Sequence, residues 1–278
     1  DLGTSCSASM ELAVADGEDR QASWHWDMGR HPDAFDLASV GREAAMKGEQ
    51  KLNPRPLKAG KYPVVLHPEV TVDLLGIVAG MLSAEAVLKQ RSLFAGKLGQ
   101  AIASPLLTLT DDGRLPEGLG SEPWDGEGLP TRRNVLLKDG VLQTYLHTLK
   151  TAAEMGVEPT ATAGRGLGSN PGVTLFNLFP DPGKQGPQEL YALAGTGVLI
   201  TELMGLHTVD PVSGDLSVGA SGVMIRGGQL AEAVDKMTIA GNLRDFLTRI
   251  QAIGSDLRWY GSSAGLSLLL EEMSLGGA

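Results

Sequence analysis

Apolar residues recur at three- and four-residue spacing through the stretch 68–96, PEVTVDLLGIVAGMLSAEAVLKQRSLFAG. Leu74, Leu75, Val78, Met81, Leu82 and Leu88 share one side at that period, which predicts a single helix with a broad buried face. On another side Gly76, Gly80 and Ala84 are four apart, so that side carries almost no side chain. An interior glycine costs about 0.8–1.0 kcal/mol relative to alanine. Two on one face imply either close backbone packing or a space beside the helix.

Elsewhere the apolar runs are shorter. Segments 10–14 and 23–26 read as strands joined by the turn Asp16-Gly17-Glu18-Asp19. Pro32 opens a predicted helix to residue 52 carrying Phe35, Leu37, Ala38, Val40, Ala44 and Ala45, and Asn53-Pro54-Arg55-Pro56 ends it. A strand at 60–66 feeds the long helix, and a strand at 105–109 precedes a turn at Asp111-Asp112-Gly113. Residues 113–130, rich in Gly, Pro and acid, form a long loop. A hairpin at 134–146 turns at Lys138-Asp139-Gly140. A helix at 149–155, a strand at 173–179, a helix at 187–193 and a strand at 197–203 follow. After a turn at 211–215, segments 222–226 and 230–234 flank Gly227-Gly228 as a second hairpin. Asn242 caps a helix to residue 250, and a last strand covers 265–270. Few helices separated by hairpins predict an α+β fold of mostly antiparallel sheets with a few packed helices.

Composition changes this picture little: 42% hydrophobic and 20% charged residues suit one or two ordinary folded domains. The net charge of −10, with no Lys/Arg-rich run, argues against nucleic acid and anionic membranes as partners. Cys6 is the single cysteine, so no intramolecular disulfide can form, and a reducing compartment, the cytoplasm, is expected. The uncharged run 74–84 is far short of the roughly 20 residues that span a bilayer. No signal-peptide pattern is visible, and the chain opens on Asp1 in strand-like sequence, which suggests that a further N-terminal part precedes it.

Candidate chemistry is sparse. His25, His31, His67, His147 and His207 form no pair at four-residue spacing, so no zinc motif exists. His67 and Glu69 flank Pro68 and read as a helix start. The loop Gly164-Arg165-Gly166-Leu167-Gly168-Ser169 lacks the Lys-Ser/Thr of a phosphate loop. Ser213, Ser262 and Ser263 lie in turn-like sequence without a nucleophile elbow. Thr131-Arg132-Arg133 suits either carboxylate binding or the pinning of Asp125 and Glu127.

Several segments together carry a resemblance: Phe94-Ala95-Gly96-Lys97-Leu98-Gly99, Asp125-Gly126-Glu127-Gly128, Lys138-Asp139-Gly140-Val141-Leu142, Thr162-Ala163-Gly164-Arg165, Ile200-Thr201-Glu202-Leu203-Met204-Gly205, Ser213-Gly214-Asp215-Leu216-Ser217 and Met237-Thr238-Ile239-Ala240-Gly241-Asn242-Leu243. In order and spacing they resemble the TldD/PmbA family, called modulators of DNA gyrase, and its PmbA (TldE) branch most. The resemblance implies an intracellular two-subunit peptidase that degrades unfolded peptides or trims peptide precursors. One subunit, TldD, carries zinc on a helical HExxxH motif and a later Cys. PmbA lacks the metal. It also implies that residues 1–55 end an N-terminal α/β region with a junction helix, and that 56–278 form a β-rich C-terminal domain.

Counted without gaps from Phe94, the zinc motif falls on Gly76, Ile77 and Gly80, and Gly261 to Gly265 offers only serines where the late Cys would stand. The resemblance therefore implies a non-catalytic PmbA/TldE-like subunit with no catalytic or metal residue and no cofactor of its own, zinc being held by a TldD-like partner. The expected partners are that subunit, or a second copy in a dimer, and an unstructured peptide paired to a sheet edge. Arg132, Arg133, Arg165, Glu202 and Asn242 are the candidate structural or peptide-groove residues. The alternatives are a homodimeric peptide-binding or structural protein without peptidase activity, and a hydrolase using His147 or His207. A gyrase-binding regulator is the weakest reading, because the acidic chain offers no DNA footprint.

Overall fold

The computed structural model describes residues 3–34 and 36–277. In chain order, β1 (Cys6–Asp16) and β2 (Asp19–Gly29) form a hairpin, followed by a 3-10 turn at Pro32–Ala34 and α1 (Leu37–Glu49). The helix starts at Asp36 rather than Pro32, because the Asp36 carboxylate accepts the Ala38 N–H. Phe35, assigned to this helix from the sequence, lies outside the described residues. Next come β3 (Arg55–Pro56), β4 (Gly60–Leu66), α2 (Pro68–Met81) and α3 (Ala84–Leu88). Then follow β5 (Leu109–Asp112), β6 (Arg133–Lys138), β7 (Val141–Leu142), α4 (Leu149–Met155), β8 (Ala163–Gly164), β9 (Gly172–Val173), β10 (Leu178–Pro180) and α5 (Pro187–Ala194). The chain continues through β11 (Gly197–Met204), β12 (Asp215–Arg226), β13 (Gln229–Asn242), α6 (Leu243–Thr248), β14 (Ile250–Ile253), β15 (Arg258–Tyr260), β16 (Ser263–Gly265) and β17 (Leu268–Gly276).

The fold is α+β with predominantly antiparallel pairing, as the hairpin spacing predicts. One sheet has the order β14-β17-β4-β11-β12-β13-β3, and a further β13–β17 pairing closes five of its strands into a ring. Period-two alternation splits the core between the two faces of this sheet. Val64 and Leu66, Val198 and Ile200, and Leu268 and Leu270 join the main core. Val65, Leu199 and Leu269, on the opposite face, pack with Leu190 and Tyr191 of α5. A second sheet has the order β15-β16-β10-β5-β6-β7, and α2 packs against β15 and β16 of that sheet and β11 of the first. The approach to β16 is close: a Cβ on Gly265 would lie 2.1 Å from the Pro68 carbonyl oxygen. Both predicted hairpin turns are present. Asp139 and Gly140, and Gly227 and Gly228, all have positive φ, the backbone that tight hairpins require.

The single helix predicted over 68–96 is instead broken at Leu82. The Leu82 carbonyl accepts from Leu146 N–H, Ala84 N–H donates to the Leu146 carbonyl, and the Met81 carbonyl takes the Ser92 hydroxyl. Carbonyls that would continue the helix are thus bonded to other segments. Leu75, Val78 and Leu82 are buried as predicted, but Leu88, beyond the break, is 40% exposed. Ala84 likewise leaves the small-residue face and is buried. The strand expected at 105–109 is displaced to β5, because Ser104 and Leu107 form a turn and Asp111 and Asp112 enter the ladder with β6. The strand expected at 173–179 is interrupted where the Phe176 N–H bonds to the Asp111 carboxylate and the Asn177 side chain to the Asp112 carbonyl, side-chain bonds to β5 in place of regular ladder pairing. The last predicted strand divides into β16 and β17 at Ser267, which Asp256 holds through its N–H and hydroxyl.

Asp111 is fully buried; one carboxylate oxygen accepts the Phe176 N–H and the other has no partner. Burial pushes its carboxyl up to about 6 against the opposing Phe176 hydrogen bond. The folded state therefore keeps this proton to higher pH than the unfolded chain. Stability from Asp111 is complete below about pH 4 and is lost as pH rises through about 6. Asp111→Asn should be more stable than wild type above that range, by on the order of 2 kcal/mol, and similar to it at pH near 4. Urea unfolding of both proteins across this interval checks it; a difference that does not vary with pH would refute the assignment.

Candidate functional site

A cavity of about 240 Å³ opens where four elements meet. Lys47 of α1, with Gln50 and Lys51 just past its C-terminal end, forms one wall, with Ser23 and Trp24 of β2 beside them. The first turns of α2 supply Glu69, Val70 and Asp73 below its cap His67, and β11 supplies Thr201, Glu202 and Leu203. His67 caps α2 as its sequence context predicts: its Nδ1 accepts the Glu69 N–H at 3.3 Å, and Pro68 occupies a position where no N–H is needed. Lys47 and Lys51, four residues apart, face carboxylates across the cavity. Lys47 Nζ lies 2.5 Å from Glu69 Oε2, and Lys51 Nζ lies 3.1 Å from Glu202 Oε2. Asp73, one turn after Glu69, has no ion pair among the described residues; burial first and Glu69 second raise its pKa.

Behind this wall Arg258 joins α1 to the body. It meets Glu43 at 3.2 Å and His25 Nε2 at 2.9 Å, and its guanidinium lies over the Tyr260 ring. Burial pulls the His25 imidazole down, helped by Lys47 and Arg258. Burial pulls His67 down to about 4, so its imidazole is neutral at physiological pH.

Of the positions on which a gapless count from Phe94 would place a zinc motif, Gly76 and Gly80 lie on the open side of α2. Gly76 is half-buried, Gly80 is exposed, and a Cβ on either would meet nothing within 4 Å. Of the two explanations for these glycines, the structure shows a space, not a close backbone contact. Ile77, between them, packs its side chain against the main core. The other singled-out residues do not converge. Glu202 lines the cavity. Asn242 caps α6, accepting the Arg244 N–H and donating to the Ser213 carbonyl and Asp215. Arg133 lies over the Phe179 ring, while Arg132 and Arg165 are exposed. The arginines do not pin the acidic loop: backbone N–H groups of Glu127, Leu129 and Ala163 hold Asp125, and Leu149 N–H holds Glu127. His147 is buried among Thr151 and Thr160, and His207 is exposed in a 3-10 turn after β11. Neither pairs with a carboxylate among the described residues, so the hydrolase alternative gains no base–acid pair. Sequence reasoning missed Trp24, Lys47, Lys51 and Asp73. The four-residue spacing of Lys47 with Lys51 and of Glu69 with Asp73 was the available signal.

His67 yields a prediction of opposite sign to Asp111. A base with a depressed folded pKa contributes stability above its unfolded value near 6.5 and loses it as pH falls through about 4. His67→Asn keeps an oxygen acceptor for the Glu69 N–H and removes the titration. It should lose less stability than wild type over that interval, by on the order of 2 kcal/mol. Equal acid sensitivity of the two proteins in denaturant unfolding would contradict this.

Residues 59–277 match the family model described as PmbA/TldA metallopeptidase C-terminal domain. The chain is 33% identical over 238 residues to metalloprotease PmbA of Escherichia coli O157:H7, covering 86% of this chain and 51% of that protein. It spans about half the length of the curated relatives it matches. A proposed modulator of DNA gyrase from Thermotoga maritima MSB8 superposes with a TM-score of 0.89 at 32% identity, covering 98% of this chain and 62% of that one. TldE from Thermococcus kodakarensis superposes with a TM-score of 0.90 at 23% identity, covering 98% and 63%, a likeness of fold. The family name implies a metal, but the residues on α2 do not fit one, and no three His, Cys, Asp or Glu side chains converge to hold a metal among the described residues. By sequence and by fold, this chain belongs to the PmbA/TldD metallopeptidase family.

Proposed function

We propose that this chain is the non-catalytic, PmbA/TldE-like subunit of a TldD–TldE-type zinc metallopeptidase that degrades unfolded peptides or trims peptide precursors in the cytoplasm. The observation that carries this reading is the open face of α2. Where the family's zinc motif would stand, Gly76 and Gly80 supply no donor and leave free space. Activating a water on zinc takes about three protein ligands and an oriented substrate, and the ligands are missing here. A TldD-like partner would supply them, while this chain shapes the peptide path. In this reading residues 1–55 end an N-terminal α/β region and 56–278 form the peptidase-family body.

Alone, the protein should bind no stoichiometric zinc and cleave no unstructured peptide. Mixed with a TldD-like subunit from the same cell, it should give activity that neither shows alone. Elemental analysis and peptidase rates of each subunit and the mixture check this; cleavage by this chain alone, or a mixture no faster than the partner, would overturn it. Gly80→Leu has room to fold and should slow the mixture by roughly tenfold through misplaced substrate. An unchanged rate would remove the α2 face from the peptide path.

A further inference from the structure

The cavity between α1 and α2 contains an imbalance of charge. Each lysine that lines it is matched to a carboxylate, Lys47 to Glu69 and Lys51 to Glu202. Asp73 is left over, beside an ion pair whose cation is already committed. His67 adds no positive charge near pH 7. Trp24 lines the same space and is 56% exposed, a large aromatic surface of the kind that attracts organic cations. A volume of about 240 Å³ is smaller than a typical whole-ligand pocket and suits one side chain or one terminal residue. The donor set is wrong for a metal ion, since no three candidate ligands converge among the described residues. One and two turns beyond Asp73 on α2, a Cβ at Gly76 or Gly80 would meet nothing within 4 Å.

We propose that this cavity is a subsite for an organic cation at the end or on the side of an extended peptide, with Asp73 as its counter-ion and Trp24 as its aromatic wall. The rest of the peptide leaves along the open face of α2. A primary ammonium reaches this cavity either as a peptide amino terminus or as a lysine side chain, and both present the same chemistry to Asp73. The net charge of −10 steers such ligands towards the protein and repels acidic ones. The inference rests on the peptide-binding reading above and adds a preference to it.

The test is isothermal titration of the full-length protein, near pH 7 and at low ionic strength, with three amidated peptides of one neutral sequence. One has a free amino terminus, one is N-acetylated, and one is N-acetylated with a single lysine. At least one cationic peptide should bind roughly tenfold more tightly than the acetylated, lysine-free one, as expected for one charge-assisted contact in a partly enclosed site. Which of the two does so identifies the source of the ammonium. Asp73→Asn keeps the side chain's size and breaks no ion pair among the described residues, so it should fold as wild type does and abolish the preference. Equal binding of all three peptides by wild type would overturn the subsite while leaving the peptide-binding reading intact. So would a preference that survives in Asp73→Asn. Binding of none would overturn the subsite outright, whereas the subunit reading stands or falls separately on the mixed peptidase rates.

Discussion

The parallel ladder between β4 and β11 pairs Val64 with Val198, Val65 with Leu199 and Leu66 with Ile200. It then extends one step further, because His67 N–H donates to the Ile200 carbonyl at 3.0 Å. That bond fixes the cap of α2 against β11. Two residues on from each partner stand Glu69 and Glu202, and both line the cavity. The register of one strand pair therefore sets the spacing of two of the carboxylates that define the candidate site. On its other edge β4 pairs with β17, which reaches β13 and closes the ring. A slip of one residue in β4 would send Val65 to the main core and Val64 to the α5 side, exchanging the two hydrophobic faces.

Local chemistry was legible wherever neighbouring residues determine the outcome. The runs Lys138-Asp139-Gly140 and Gly227-Gly228 specify tight turns through backbone angles that their own residues favour, and β4 and α4 have the boundaries their patterns predict. The failures share a physical cause. At Leu82, in β5 and around Phe176, the deciding hydrogen bonds come from Leu146, Arg133 and Asp111, distant in sequence. Asp111-Asp112-Gly113 has the composition of a turn, yet Asp111 is buried in a strand with one oxygen unpartnered. A propensity cannot anticipate a partner that only the assembled sheet provides.

The candidate site divides in the same way. That α2 carries no His was readable because it depends on residue identity along one helix. Whether Gly76 and Gly80 marked tight packing or space was not, since that depends on what the fold brings alongside, and it brings nothing within 4 Å. The cavity was hidden because Trp24, Lys47, Asp73 and Glu202 come from four segments, and only their assembly reveals which charges cancel.

The ion pairs between α1 and the body have a role that their strength alone does not suggest. Both are partly exposed, with side-chain accessibilities from 23% to 46%, so each contributes little to stability. Their effect on the cavity is larger, because they decide which carboxylate remains free. With Lys47 and Lys51 in place, Glu69 and Glu202 are neutralised and the residual negative charge is localised at Asp73, at the start of the open α2 face. If α1 moved away, three carboxylates would stand together and the local charge would become diffuse and strongly negative. The position of α1, held also by Arg258 through Glu43, thus converts an acidic wall into a single defined anionic point. A surface helix with modest energetic weight can in this way set the chemical preference of a site whose other walls belong to the sheet.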